Sequence, residues 1–122
     1  MSSLQTLPRL LVVEDEYLIR MLLEDMLVDL GYDVAAAVGS IAEASEFAAS
    51  GDFNAAILDV NLDGQQIYPV AEILAKRGLP FVFVTGYGER SLPEPYRDRP
   101  ALQKPFQGEQ LKAVLAGIFP AE

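Results

Sequence analysis

Four short apolar runs and a fainter fifth, each followed by a segment of different periodicity, constrain this chain more than any other feature. LLVVE (10–14), DVAAAV (33–38), NAAILDV (a strand near 54–59) and PFVFVT (80–85) have the length and β-branched content of buried strands, and a short strand is expected around 101–103. The intervening segments change to helical spacing. Leu18, Ile19, Leu22, Leu23, Met26, Leu27 and Leu30 recur at three and four residues and stop at Gly31. Ser40 and Glu43 form a capping-box pair that opens a helix carrying Ile41, Ala44, Phe47 and Ala48 to Gly51. Pro69 suits the first turn of a third helix, with Val70, Ile73 and Leu74 inward and Gly78 as its stop. Leu111, Val114, Leu115 and Ile118 define the last helix. Only 86–100 breaks the alternation, because Gly86, Gly88, Pro93, Pro95 and Pro100 leave little helical periodicity. A loop or a short, irregular fourth helix is expected there.

Parallel strands need crossover connections, and right-handed crossovers place helices on both faces of the sheet. The expected fold is therefore α/β: a five-stranded parallel sheet in flavodoxin-like order 2-1-3-4-5 with helices on both faces. At 122 residues the chain fits one domain, expected over 8–120 with no output domain after it. Open sheets of this kind bind ligands beyond the carboxyl ends of their strands, so the strand ends carry the functional information. Strand one ends in Glu14 and Asp15, strand three in Asp59, strand four in Thr85 and strand five in Lys104, while Val38 and Gly39 end strand two without a polar side chain. In that order all five polar side chains rim one edge.

Three neighbouring carboxylates repel one another unless a cation lies among them, and oxygen-only ligands select a hard cation that keeps part of its water, which points to Mg²⁺. A carboxylate can also attack phosphorus to give an acyl phosphate, whose oxygens then need a metal, a lysine and hydroxyl or backbone donors. Thr85 offers a hydroxyl, and Gly86 lets an anion approach the backbone. No histidine is present, which removes the usual general base and any phosphohistidine in the chain itself. A net charge of −9 repels nucleic acid. No apolar run reaches membrane-spanning length, MSSLQTLP lacks the pattern of a secretory signal, and cysteine is absent, so the expectation is a cytoplasmic protein without membrane insertion.

The acidic pair in VVEDE, the aspartate of ILDVNLDG, the threonine of FVFVTGYG and the lysine of QKPF together resemble the signature of two-component response-regulator receiver domains, over nearly the whole chain. The resemblance implies the CheY-like form of the fold. It implies that Asp59 accepts a phosphoryl group from a histidine of a sensor kinase or a histidine phosphotransfer protein. Asp15, Asp59 and the Asn61 main-chain carbonyl would then bind Mg²⁺, with Glu14 acting mostly through metal-bound water. Thr85 and Lys104 would contact phosphoryl oxygens, and the Lys104–Pro105 bond would be cis. On this reading the protein is a switch rather than an enzyme, catalysing only its own phosphorylation and dephosphorylation. It would signal to a downstream protein or pass the phosphoryl group along a phosphorelay.

Phe83, Thr85, Gly86 and Tyr87 further resemble the FAT GUY receivers, with Val84 in place of the alanine of that motif. Ala101 departs from receivers in general, which usually carry a switching tyrosine or phenylalanine three residues before the lysine. Tyr87, or an ordering of 86–100, is then the candidate for that role. Each residue alone has an ordinary explanation: Glu14 and Asp15 as a helix N-terminus, Asp59 with Asn61, Asp63 and Gly64 as turn chemistry, and Lys104 as a surface charge. Their joint position at adjacent strand ends favours the site. A pseudo-receiver that binds a kinase without being phosphorylated is the alternative.

Overall fold

A computed structural model describes residues 7–86 and 92–119. Arg9–Val13 (β1), Asp33–Val38 (β2), Ala55–Asp59 (β3), Phe81–Thr85 (β4) and Ala101–Gln103 (β5) form one parallel sheet in the order β2-β1-β3-β4-β5. Helices Tyr17–Asp29 (α1), Ile41–Ser50 (α2), Tyr68–Lys76 (α3) and Gly108–Ile118 (α4) cover it. The flavodoxin-like architecture expected from the alternation is the one observed. No described helix is long and apolar enough to cross a membrane.

Successive strand residues point to opposite faces, so a strand buried on both sides must be apolar throughout. β1 follows this rule. Leu10 and Val12 join Leu23 and Leu27 of α1 and Leu111 and Leu115 of α4 in one core, while Leu11 and Val13 join Ala44, Ala48, Val70 and Leu74 of α2 and α3 in the other. Not every periodic residue is in a core. Leu18 is 76% exposed and Leu22 is 54% exposed, so the apolar band of α1 is wider than its core-facing stripe and continues onto the surface. Packing alone does not account for those two leucines.

Gly31 and Gly78 take positive φ of 94° and 73°, the left-handed conformation that lets α1 and α3 stop and the chain turn into the next strand. Among the described residues between β4 and β5, Glu94–Tyr96 forms a 3₁₀ turn, as suits the prolines around it. Tyr96 packs into the side of the molecule, with its ring stacked on Tyr68 at 5.6 Å between centroids and edge-on to Phe83. The proposed switching residue Tyr87 lies outside the described residues.

Candidate functional site

The sheet register sets the site. Val13 of β1 lies opposite Leu58 of β3, so Glu14 and Asp59 leave the sheet at the same level. Asp59 pairs with Val84, and Thr85 pairs with Gln103, which places Lys104 one residue beyond that edge. The Lys104 amide extends the ladder by donating to the Thr85 carbonyl at 2.8 Å. Its peptide bond to Pro105 is cis.

Asp59 and Glu14 are the buried charged residues of the described chain. A carboxylate oxygen from each of Glu14, Asp15 and Asp59 falls within 4.8 Å of the others, and Lys104 enters this group as its cation. Lys104 Nζ lies 3.0 Å from Asp59 Oδ2 and 3.1 Å from Glu14 Oε1. The first contact is a hydrogen bond; the second is an ion pair without hydrogen-bond alignment, and Glu14 Oε1 is a buried oxygen with no hydrogen-bond partner. The other Glu14 oxygen accepts the Glu16 amide at 3.0 Å.

These surroundings act on both groups. The Glu14 carboxyl is pushed up to about 7, chiefly by burial and also by the Asp59 charge, against the opposing pull of the Glu16 amide. Burial pulls the Lys104 ammonium down, but the hydrogen bond and charge of Asp59, followed by those of Glu14, outweigh it and hold the group above the usual lysine value. Three carboxylates and one ammonium leave two negative charges when all are ionised. That deficit, the orphaned Glu14 Oε1 and an all-oxygen donor set fit a hard divalent cation such as Mg²⁺.

Asp15, Glu16, Asp59, Asn61, Asp63, Gly64, Gly86 and Lys104 line an open pocket of about 330 Å³ over this cluster. Its far wall is a two-strand hairpin in which Asn61 pairs with Gln66 and Leu62 with Gln65. Asp63 and Gly64 occupy the tip with φ of 51° and 87°; positive φ at both central residues makes a type I′ turn, and Asp-Gly is a preferred pair for it. The turn fixes Asn61, whose amide donates to Asp59 Oδ1 at 3.2 Å and whose side-chain oxygen accepts the Gly64 amide at 2.9 Å. Thr85 is not among the residues that line this pocket, and its hydroxyl donates to the Leu102 carbonyl over a long 3.4 Å.

A buried aspartate beside a lysine and two further acids lies under an open pocket at the carboxyl edge of the sheet, and the sequence comparison identifies the family. Residues 10–116 match the family model described as the response regulator receiver domain. This chain is a member of the receiver family. The transcriptional regulatory protein PdtaR of Mycobacterium tuberculosis is 39% identical over 102 residues, which is 80% of this chain and 50% of that protein. The phyllosphere-induced regulator PhyR of Methylorubrum extorquens is 35% identical over 112 residues, 88% of this chain and 42% of that one. The receiver thus spans half or less of the length of these curated relatives. The solution structure of SdrG from Sphingomonas melonis Fr1 superposes with a TM-score of 0.82 at 45% identity and covers 98% of this chain and 99% of that one. A second SdrG structure, in a BeF3-activated conformation, superposes with a TM-score of 0.77 at 46% identity, over 93% of this chain and 97% of that one.

Two residues at the site have no role assigned by the sequence pattern. Arg20 Nη1 donates to the Glu14 carbonyl at 2.7 Å, and Gly39, at the end of β2, makes room for that guanidinium. The available signal was weak: Arg20 is the single basic residue of α1, and Gly39 follows a strand whose end carries no polar side chain.

Proposed function

We propose that this receiver is a phosphoacceptor switch in which Asp59 takes a phosphoryl group from a histidine on a partner, a sensor kinase or a histidine phosphotransfer protein. The observation that carries the reading is the convergence of the Glu14, Asp15 and Asp59 carboxylates on Lys104 at one strand edge. An Asp59 oxygen forms the new bond to phosphorus while the phosphorus–nitrogen bond to the donor imidazole breaks, and the imidazole leaves with the electron pair. Asp15, Asp59 and the Asn61 main-chain carbonyl would hold Mg²⁺, with Glu14 reaching it through water. When bound, that ion neutralises charge on the transferring group. Lys104 exchanges its contact with Asp59 for a phosphoryl oxygen, Thr85 gives up its long bond to Leu102, and Gly86 leaves space for the anion. Water attack on the acyl phosphate later releases phosphate and restores the carboxylate. The protein turns over no separate substrate.

A protein donor needs a surface beside this opening. Leu18 and Leu22 provide one on α1, and next to them Ile19, Met26 and Phe106, with Lys104 and others, line an apolar pocket of about 190 Å³. Lys104 borders both this pocket and the acidic one, so a donor seated on α1 reaches the phosphoryl site. Phe83, Thr85 and Gly86 support placement within the FAT GUY subgroup, and signalling then runs through a downstream protein or onward phosphotransfer.

The test is the intact mass after incubation with Mg²⁺ and acetyl phosphate, beside Asp59→Asn. The expected result is one phosphoryl increment in the parent and none in the variant. No gain in the parent, or an equal gain in the variant, sinks the phosphoacceptor reading.

A further inference from the structure

The acidic pair sits on a two-point turn between β1 and α1, and neither residue belongs to a strand or helix that would fix it. Mutual repulsion among Glu14, Asp15 and Asp59 favours opening that turn in the metal-free protein. The Glu14 backbone is nevertheless tied at both of its polar groups. Its amide donates to the Val38 carbonyl at 3.0 Å, which continues the β1–β2 ladder, and its carbonyl accepts Arg20 Nη1 at 2.7 Å. Among the described residues Arg20 makes no ion pair, so its charge-assisted donor serves a main-chain carbonyl six residues back instead of a carboxylate. The guanidinium also lies over the Tyr17 ring, 5.6 Å from its centre, a cation–π contact within its own helix.

Gly39 completes the arrangement. A Cβ placed there would come within 2.6 Å of Arg20 Nη1 while staying 3.5 Å from the Glu14 carbonyl oxygen, so what the glycine spares is the guanidinium and not the backbone. Gly39 is not among the glycines with positive φ, so alanine fits its backbone without strain. The bareness of the β2 end is therefore a seat for an arginine that belongs to α1.

We propose that Arg20, seated against Gly39, is a positioning residue that holds the Glu14–Asp15 turn in its cation-binding form. This rests on the metal-binding part of the proposed function. Outer groups that orient metal ligands typically contribute about 10–100-fold to affinity, and the bond here reaches the ligands through backbone, so the lower end applies. Titrating ¹⁵N-labelled protein with MgCl₂ and following amide shifts should give an affinity about tenfold weaker for Arg20→Ala than for the parent, with Arg20→Lys in between because a single ammonium donor can still reach the carbonyl. Gly39→Ala should weaken binding in the same direction but by less, because the added Cβ meets the flexible end of the Arg20 side chain and displaces it without removing it. The double variant should be no weaker than Arg20→Ala alone, since both changes act on one bond. Thermal midpoints in chelator separate this from a loss of fold, and if Arg20→Ala does not fold, Gly39→Ala carries the same test. Parent-like Mg²⁺ affinity in either Arg20→Ala or Gly39→Ala overturns the inference, as does full additivity in the double variant. A parent that binds no Mg²⁺ at millimolar concentration overturns instead the metal site on which the inference stands.

Discussion

Lys104 Nζ reaches across β4 to lie 3.0 Å from Asp59 Oδ2, joining residues 45 apart in the chain at the rim of the sheet. The contact is possible because parallel register leaves Asp59, Thr85 and Lys104 at successive strand ends, and the lysine stem is long enough to span the strand between its own and that of Asp59. Lys104 therefore has two uses in one position: it offsets the buried acids in the resting protein, and it is within reach of any group attached to Asp59.

The resting use predicts a larger loss of stability than a simple surface change would give. Lys104→Met keeps most of the stem volume but leaves Glu14 and Asp59 without their cation. A hydrogen bond to a charged group contributes about 2 kcal/mol, and Lys104 is 23% exposed, so the expected loss in urea unfolding with chelator is about 1–2 kcal/mol at pH 8. Millimolar Mg²⁺ should recover part of that loss by replacing the missing positive charge. A variant equal in stability to the parent in chelator would mean that solvent already screens the pair.

Glu14 gives a pH dependence whose sign follows from its burial. Its carboxyl is raised from 4.5 to about 7, so the folded state holds a proton that the unfolded state has released between those values. The favourable contribution is complete below pH 4.5 and is lost as pH rises through about 7. Each pH unit of such a shift is worth about 1.4 kcal/mol, so the full change is about 3–4 kcal/mol. The parent should lose stability relative to Glu14→Gln between pH 4.5 and 7 in chelator, with a constant gap above about 8. Adding Mg²⁺ at pH 8 should narrow that gap, because a nearby cation favours the ionised carboxylate. A gap that does not change with pH would show that Glu14 stays ionised throughout.

Most of the site was legible because it depends on two things that sequence patterns carry well: where buried strands end, and which polar residue comes next. Glu14 and Asp59 follow apolar runs directly, Asp15 comes one residue later and Lys104 follows the short strand Ala101–Gln103, and a parallel sheet has little choice but to bring those ends together. What escaped was set by geometry that has no period. The Asp63–Gly64 hairpin depends on φ at two residues, and it reads in sequence only as turn chemistry. Arg20 and Gly39 meet because α1 crosses the end of β2, and an arginine on a mostly apolar helix gives no sign of that. The exposed Leu18 and Leu22 were hidden for the opposite reason: helical spacing marks an apolar band but not where the core ends within it.

The 3₁₀ segment provides the last prediction. Ala101 leaves β5 without the aromatic that receivers usually carry there, and in this chain Tyr96 contributes a ring from the same connection, stacked on Tyr68 with only 9° between planes and edge-on to both Phe81 and Phe83. Tyr68 begins α3, directly after the hairpin that holds Asn61, so the stack ties the Asp59 side of the site to the segment that follows β4. Aromatic pairs of this kind contribute about 0.5–1.5 kcal/mol beyond the area they bury. In a double-mutant cycle of Tyr68→Leu and Tyr96→Leu, urea unfolding should give a coupling energy of about 1 kcal/mol, with Tyr96→Leu alone destabilising by a similar amount. If the stack transmits the state of Asp59, BeF₃⁻ with Mg²⁺ should shift the Tyr96 ring resonances in the parent, and amide shifts across 92–99 should respond less in Tyr68→Leu. Additive single effects, together with ring resonances that ignore BeF₃⁻, would reduce Tyr96 to a covering residue for the Phe81–Phe83 side of the core.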